Sequence, residues 1–265
     1  MLKQGVVLYG AGKQGIAAVN ELENMGIHIA AIADRQIGKN CGRFCAVSIG
    51  MLCEQAKNFR YKSNNGWFDD GDAGLLHSMI LEYKPKRIIE IGSGFSTCVM
   101  LDTNEYWLDN QIEITCIEPY PHRLMENIRN KEKIEIRSEF VQHVPLEVFD
   151  SLEANDILFI DSSHVVKAGG DIIWEYFHII PRLKDGVIIH IHDIIYPFTY
   201  PERWILQGRA YTEAFILRAF LMNNNRYEIL FFNSMMIKKC YEEYRSGWNK
   251  EHELSGFGSI WFRKR

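Results

Sequence analysis

Two hydrophobic rhythms alternate along this chain. From residue 61 onward, short and nearly continuous apolar runs are separated by stretches whose apolar positions recur every three or four residues. The slower rhythm predicts helices over residues 75–83, 96–108, 121–130, 167–180 and 211–222. The short runs predict strands over residues 87–91, 113–117, 156–160, 186–191, 227–233 and 259–262, and residues 133–141 alternate at period two. Lys84-Pro85 and Pro181 end two of the helices, and prolines stand at the start of the one that opens at residue 121. Near-continuous apolar strands alternating with helices imply a mostly parallel sheet covered on both faces, an α/β fold. Only a short polar link, residues 234–258, joins the last two strands, so these pair antiparallel.

A smaller unit precedes this body. Residues 5–9 read as a strand, and Gly10-Ala-Gly-Lys-Gln-Gly15 fits the G-x-G-x-x-G pattern that opens a helix. A second strand over residues 27–33 ends in Asp34, where dinucleotide folds place a ribose-binding acid. Only one further strand (44–48) and helix (51–59) fit before the main body, about half of a dinucleotide domain. The chain therefore divides into a small nucleotide-binding-like βαβ module, residues 1–58, and a main domain, residues 59–265. The glycines of the module either pack helix against strand or receive a nucleotide, and both readings stand.

Composition narrows the class. With 265 residues and 47% hydrophobic content the chain can bury a sizeable core, and its net charge of −4 argues against a nucleic-acid partner. The six cysteines form no C-x-x-C pair, and Cys98 and Cys116 lie in apolar runs as small hydrophobes. No apolar stretch reaches membrane-spanning length, and the start of the chain does not read as a signal peptide. The expectation is a soluble cytoplasmic protein with reduced thiols and no membrane partner. The basic end, Arg263-Lys264-Arg265, reads as a solvated tail.

The chemistry concentrates at strand ends. Arg-Ile-Ile-Glu90-Ile-Gly92-Ser93-Gly94-Phe-Ser-Thr is a strand, a tight turn and a helix start, and its glycines would let bare backbone approach a ligand. No Gly-Lys-Ser/Thr follows, which excludes a phosphate-binding P-loop. Glu90 suits a cationic or hydroxyl-bearing ligand. Glu118 ends the next strand in Cys-Ile-Glu-Pro-Tyr-Pro, where a carboxylate can accept both hydroxyls of a ribose. Asp-Ile-Leu-Phe-Ile-Asp161-Ser-Ser-His164 and Gly-Val-Ile-Ile-His190-Ile-His192-Asp193 deliver ionisable groups to the same sheet edge, where open α/β sheets bind ligands. His190 and His192 share a face, with Asp193 turned away or into the loop. Burying such groups is costly unless they are paired, ligated or used.

Taken together, residues 65–265 resemble the class I S-adenosylmethionine (SAM) methyltransferases, in particular a bacterial group that modifies small molecules or sugars. The resemblance implies a Rossmann-like methyltransferase sheet and a SAM pocket at Glu90, Gly92, Ser93, Gly94, Glu118 and Asp161. It places Gln142-His143 near the adenine, without the acid that many relatives carry there. It implies methyl transfer to a hydroxyl oxygen, with His192 or His164 as base and Asp193 orienting. Metal-dependent relatives hold Mg²⁺ or Mn²⁺ between positions matching Asp161, His192 and Asp193; the histidine makes a metal-free base the competing route. The segment Tyr-Pro-Phe-Thr-Tyr-Pro-Glu-Arg-Trp204 would form a lid or acceptor wall, and the protein would act as a homo-oligomer. Two other readings compete: an NAD(P)-dependent oxidoreductase built on Gly10, Gly12, Gly15 and Asp34, and a non-catalytic module that keeps the SAM fold.

Overall fold

The computed structural model describes residues 8–9, 32–33, 58–130, 132–239 and 258–265. In the N-terminal segment, β1 (Leu8–Tyr9) and β2 (Ile32–Ala33) pair in parallel, with Leu8 opposite Ile32. Residues 10–15, Asp34, the strand expected over 44–48 and nearly all of the helix expected over 51–59 lie outside the described residues.

The main body is a seven-stranded sheet. It comprises β3 (Arg87–Ile91), β4 (Glu113–Ile117), β5 (Ile134–Arg137), β6 (Ile157–Ile160), β7 (Ile188–His192), β8 (Tyr227–Phe232) and β9 (Ser259–Lys264). Across the sheet they run β5-β4-β3-β6-β7-β9-β8. The first five are parallel, and β9 is antiparallel to both of its neighbours. The chain runs outward from β3 through β4 to β5, then returns to place β6 on the other flank of β3. That reversal opens a crevice at the carboxyl ends of β3 and β6, the usual ligand position in such sheets.

The strands carry side chains that are buried on both faces: Ile157, Leu158, Phe159 and Ile160 are all fully enclosed, which is why periodicity two is absent there. β5 is shorter than its alternation suggests. It is an edge strand, and the chain after it turns into a 3-10 segment, Val141–His143.

Helices α1 (Asp70–Tyr83), α2 (Phe95–Trp107), α3 (His122–Asn127), α4 (Asp171–Trp174), α5 (Glu202–Leu206), α6 (Glu213–Leu221) and α7 (Asn233–Lys239) connect the strands. α1 begins five residues before its apolar pattern does, because Asp70, Gly71 and Asp72 read as loop. Acids in a first turn favour the positive end of the helix dipole. The helix closes at Lys84 in the left-handed region (φ 46°), whose N–H donates to Ile80, one residue before Pro85. The single helix expected over residues 167–180 is instead α4, a π turn over Glu175–Ile179 and a 3-10 turn over Ile180–Arg182.

The basic end is not a solvated tail. Lys264 is the last residue of β9 and is buried, its Nζ donating to the carbonyls of Pro181 (2.6 Å) and Leu183 (2.5 Å). Arg265 pairs with Glu228. Among the described residues, no helix is long and apolar enough to cross a membrane.

Candidate active site

A cavity of about 710 Å³ opens at the crevice beside β3 and β6. Its floor starts at the glycine turn. Gly92 has φ +79°, and a Cβ there would lie 1.9 Å from the carbonyl oxygen of Asp161. Glycine is therefore demanded here by the close approach of the Asp161 backbone, and Gly92 also lines the cavity. Gly94 differs, since an added Cβ would meet only Cδ of Arg123 at 3.4 Å. The N–H of Ser93, between them, donates to Glu118 Oε2 (3.2 Å), and the N–H of Tyr120 donates to Glu118 Oε1 (2.9 Å). Half-buried Glu118 is thus fixed at the cavity wall with acceptor capacity to spare on both oxygens.

Glu90 occupies a different place from the one expected. It is fully buried behind the turn and is not part of the cavity wall. Its oxygens accept from Ser96 Oγ and Thr97 Oγ1, both at 2.5 Å, and from Cys116 Sγ at 3.2 Å. Burial raises its pKa to about 7 against the pull of those donors. Glu90 is a strut that holds the first turn of α2 against β3 and β4. Gln142 and His143 also stand off the wall, and Gln142 Nε2 donates to the carbonyl of Gly169 (3.1 Å).

The opposite end gathers the four residues expected to carry the chemistry. Asp161 follows β6, and the chain then turns through His164 in the left-handed region (φ 58°). His164 Nε2 lies 3.2 Å from Asp161 Oδ1 and 3.7 Å from Asp193 Oδ2; His164 Nδ1 lies 2.8 Å from Glu213 Oε2. A carboxyl group facing each ring nitrogen favours donation from both, the imidazolium form. Burial opposes that charge, but Asp161 and Glu213 outweigh it and hold the His164 pKa well above its ordinary value. Burial likewise pushes Asp161 upward, while His192 and His164 more than compensate and bring it to about 2.

His192, on the last position of β7, borders the cavity with its Nε2 3.8 Å from Asp193 Oδ1. Its Nδ1 has no hydrogen-bond partner among the described residues. Burial lowers its pKa, and Asp161, Asp72 and Asp193 together raise it beyond the ordinary value. His190 faces the same way, as strand alternation requires, with the two rings 5.7 Å apart. It stacks on Phe159 at 3.9 Å and stays neutral, burial driving its pKa well down.

Three buried acids support this end and were not singled out from sequence as site residues. Glu213, on the first turn of α6, holds His164 and also accepts from Tyr176 Oη (3.1 Å). Glu175 sits in the π turn and accepts from Ser162 Oγ (3.3 Å). Asp72 accepts from Ser259 Oγ (2.6 Å), Asn233 Nδ2 (2.9 Å) and Gly258 N (3.2 Å). Charged residues inside otherwise apolar helical stretches were the available signal, but acids in a first turn read as ordinary helix starts.

The expected metal donors do not fit a divalent cation. Among the described residues, no three histidine, cysteine, aspartate or glutamate side chains converge as a ligand set. Asp161 and Asp193 instead both lie near Nε2 of His164, and a protonated ring there repels a second cation.

The aromatic segment divides in two. Tyr196, Phe198 and Tyr200 are buried in the core, while Pro201, Arg203 and Trp204 line the cavity together with Arg209 and Tyr211.

Sheet order, glycine turn and acid-lined crevice are Rossmann-like, and residues 89–194 match the family described as methyltransferase domain. The matched segment is somewhat under half of the chain. An uncharacterised protein of Archaeoglobus fulgidus is 42% identical over 98 residues, covering 37% of this chain and 44% of that protein. The match thus spans less than half the length of that curated relative. Among solved structures, the chain resembles the S-adenosylhomocysteine (SAH)-bound Podospora anserina methyltransferase PaMTH1: 14% identity, 90% of this chain, 100% of that one, TM-score 0.48. It also resembles the O-methyltransferase TomG of Streptomyces achromogenes in complex with SAM: 12% identity, 96% and 98% coverage, TM-score 0.45.

Proposed function

We propose that the protein uses SAM to methylate a hydroxyl oxygen of a small molecule or sugar. The observation that carries this reading is one cavity joining two kinds of chemistry. At one end stands Glu118 beside the glycine turn, and at the other the His192–Asp193 pair.

SAM, when bound, supplies a methyl group on a sulfonium that already carries its leaving group. What remains for the protein is alignment and one proton. Glu118 would accept the ribose hydroxyls, and Gly94 leaves room above the turn. Asp161 would stay ionised throughout the neutral range beside its two histidines. His192 would take the proton released by the acceptor hydroxyl, with Asp193 orienting its ring. His164 already holds a proton on each nitrogen, so it serves as a fixed positive charge rather than as the base.

Residues 1–58 are proposed as an accessory module, and the cytoplasm as the site of action. Calorimetry with SAM, SAH and NAD tests the whole reading. SAM and SAH should bind one per chain. Tight stoichiometric NAD binding, with none for SAH, would replace the methyltransferase reading with an oxidoreductase.

A further inference from the structure

Among the described residues most arginines pair with carboxylates, though Arg218 and Arg226, outside the cavity, do not. Arg60 contacts Asp102, Glu105 and Glu132; Arg129 contacts Glu105; Arg182 contacts Asp150; Arg265 contacts Glu228. The three that line the cavity, Arg123, Arg203 and Arg209, have no carboxylate partner among the described residues. The cavity has acids enough, yet they are committed elsewhere. Glu118 binds two backbone N–H groups, Asp161 and Asp193 face His164, and Asp72 is held by Ser259, Asn233 and Gly258. Asp69, also on the wall, is not within ion-pair distance of any of the three. All three are exposed, so water can solvate them, and their N–H groups stay available to an anionic ligand that enters the cavity.

Their positions separate them. Arg123 lies over Trp67 (3.6 Å to the ring centre) and against Gly94, at the cofactor end. Arg209 lies at the other end, 4.6 Å above the Trp204 ring and 5.8 Å from that of Tyr211. The Tyr211 ring is 4.8 Å from that of His164, which ties this wall to the chemical edge. Stacking on aromatic faces orients a guanidinium and leaves its N–H edge free for a bidentate oxyanion. Arg203 precedes Trp204 on α5 and lines the same wall.

We infer that Arg203 and Arg209 form an oxyanion-binding subsite, and that the acceptor is a hydroxy compound carrying a carboxylate or phosphate ester. This rests on the proposed methyl transfer for its purpose but not for its charge preference.

Two matched pairs test it by calorimetry on the full chain, with and without saturating SAH: 3,4-dihydroxybenzoate against 3,4-dihydroxybenzamide, and glucose 6-phosphate against glucose. The anion of at least one pair should bind about tenfold more tightly than its neutral twin, and the winning pair tells carboxylate from phosphate. Arg203→Gln and Arg209→Gln should each remove most of that preference while SAH affinity stays unchanged. Arg218→Gln, outside the cavity, should leave it intact. Equal binding of both twins in both pairs, or a preference that survives Arg203→Gln with Arg209→Gln, overturns the subsite. Failure of SAH to bind while the charge preference holds would instead overturn the methyltransferase reading alone.

Discussion

Glu213 Oε2 lies 2.8 Å from His164 Nδ1, across 49 positions of chain. The contact is one of several at that point. The N–H groups of Thr212 (2.8 Å) and Glu213 (3.2 Å) both donate to the His164 carbonyl, and Val166 N donates to Thr212 Oγ1 (2.8 Å). The start of α6 is thus bolted to the turn after β6, so the wall that carries Tyr211 cannot shift without moving the imidazolium.

Removing that ring strands three carboxylates together, one of them wholly buried. His164→Ala should cost about 3–5 kcal/mol, the range for breaking a buried ion pair from one side. Urea unfolding checks it. The folded pKa of His164 is raised, so its contribution is complete below the unfolded value near 6.5 and fades as pH rises through the folded value. The gap between the two proteins should therefore narrow on the alkaline side.

Glu118→Ala should weaken SAH binding by about 1.5–3 kcal/mol, the cost of losing hydrogen bonds to a charged acceptor. Titration of SAH into the variant measures it. Unchanged affinity in a folded variant would remove Glu118 from the cofactor site.

His192→Ala should lower kcat by roughly 10²–10⁴ and leave SAH affinity nearly intact. A base must be neutral to work, so activity should fall as pH drops through the His192 pKa. Because that pKa is raised, the acid limb should lie above 6.5 and vanish in the variant. A pH profile of kcat shows either outcome.

Prolonged treatment with a chelator should leave turnover unchanged, because Asp161 and Asp193 already face the His164 ring. Loss of activity that Mg²⁺ or Mn²⁺ restores would show instead that these carboxylates rearrange around a cation.

Gly92→Ala should cost about 2–5 kcal/mol, combining positive-φ strain with a backbone clash. Thermal unfolding reads it, and Gly94→Ala should cost less.

Strand positions and the sheet edge were legible because buried parallel strands are short apolar runs, and the edge follows from where each run stops. β3 and β4 matched residue for residue. Helix starts were less legible: Asp70 and Asp72 look like loop, yet α1 begins with them. Glu118 and the four residues from Asp161 to Asp193 line the cavity as expected. Glu90 does not, since sequence gives a strand residue its face but not what packs over that face. Glu213 and Asp72 escaped notice because their partners lie far along the chain.

β9 fills the gap between β7 and β8, and its first turn brings Gly258 N and Ser259 Oγ to Asp72, 186 and 187 positions away. The glycine turn and Glu118, by contrast, come from β3, α2 and β4, which are neighbours in sequence. Contacts of such unequal span close at unequal times as a chain folds. The nucleotide-facing half of the cavity can therefore assemble while β7 still has a bare edge, and Asp72 gains the donors at the start of β9 only when that strand inserts. In hydrogen exchange, β9 should open at lower free energy than β3 and β4, giving a state able to hold SAH before it is able to turn over.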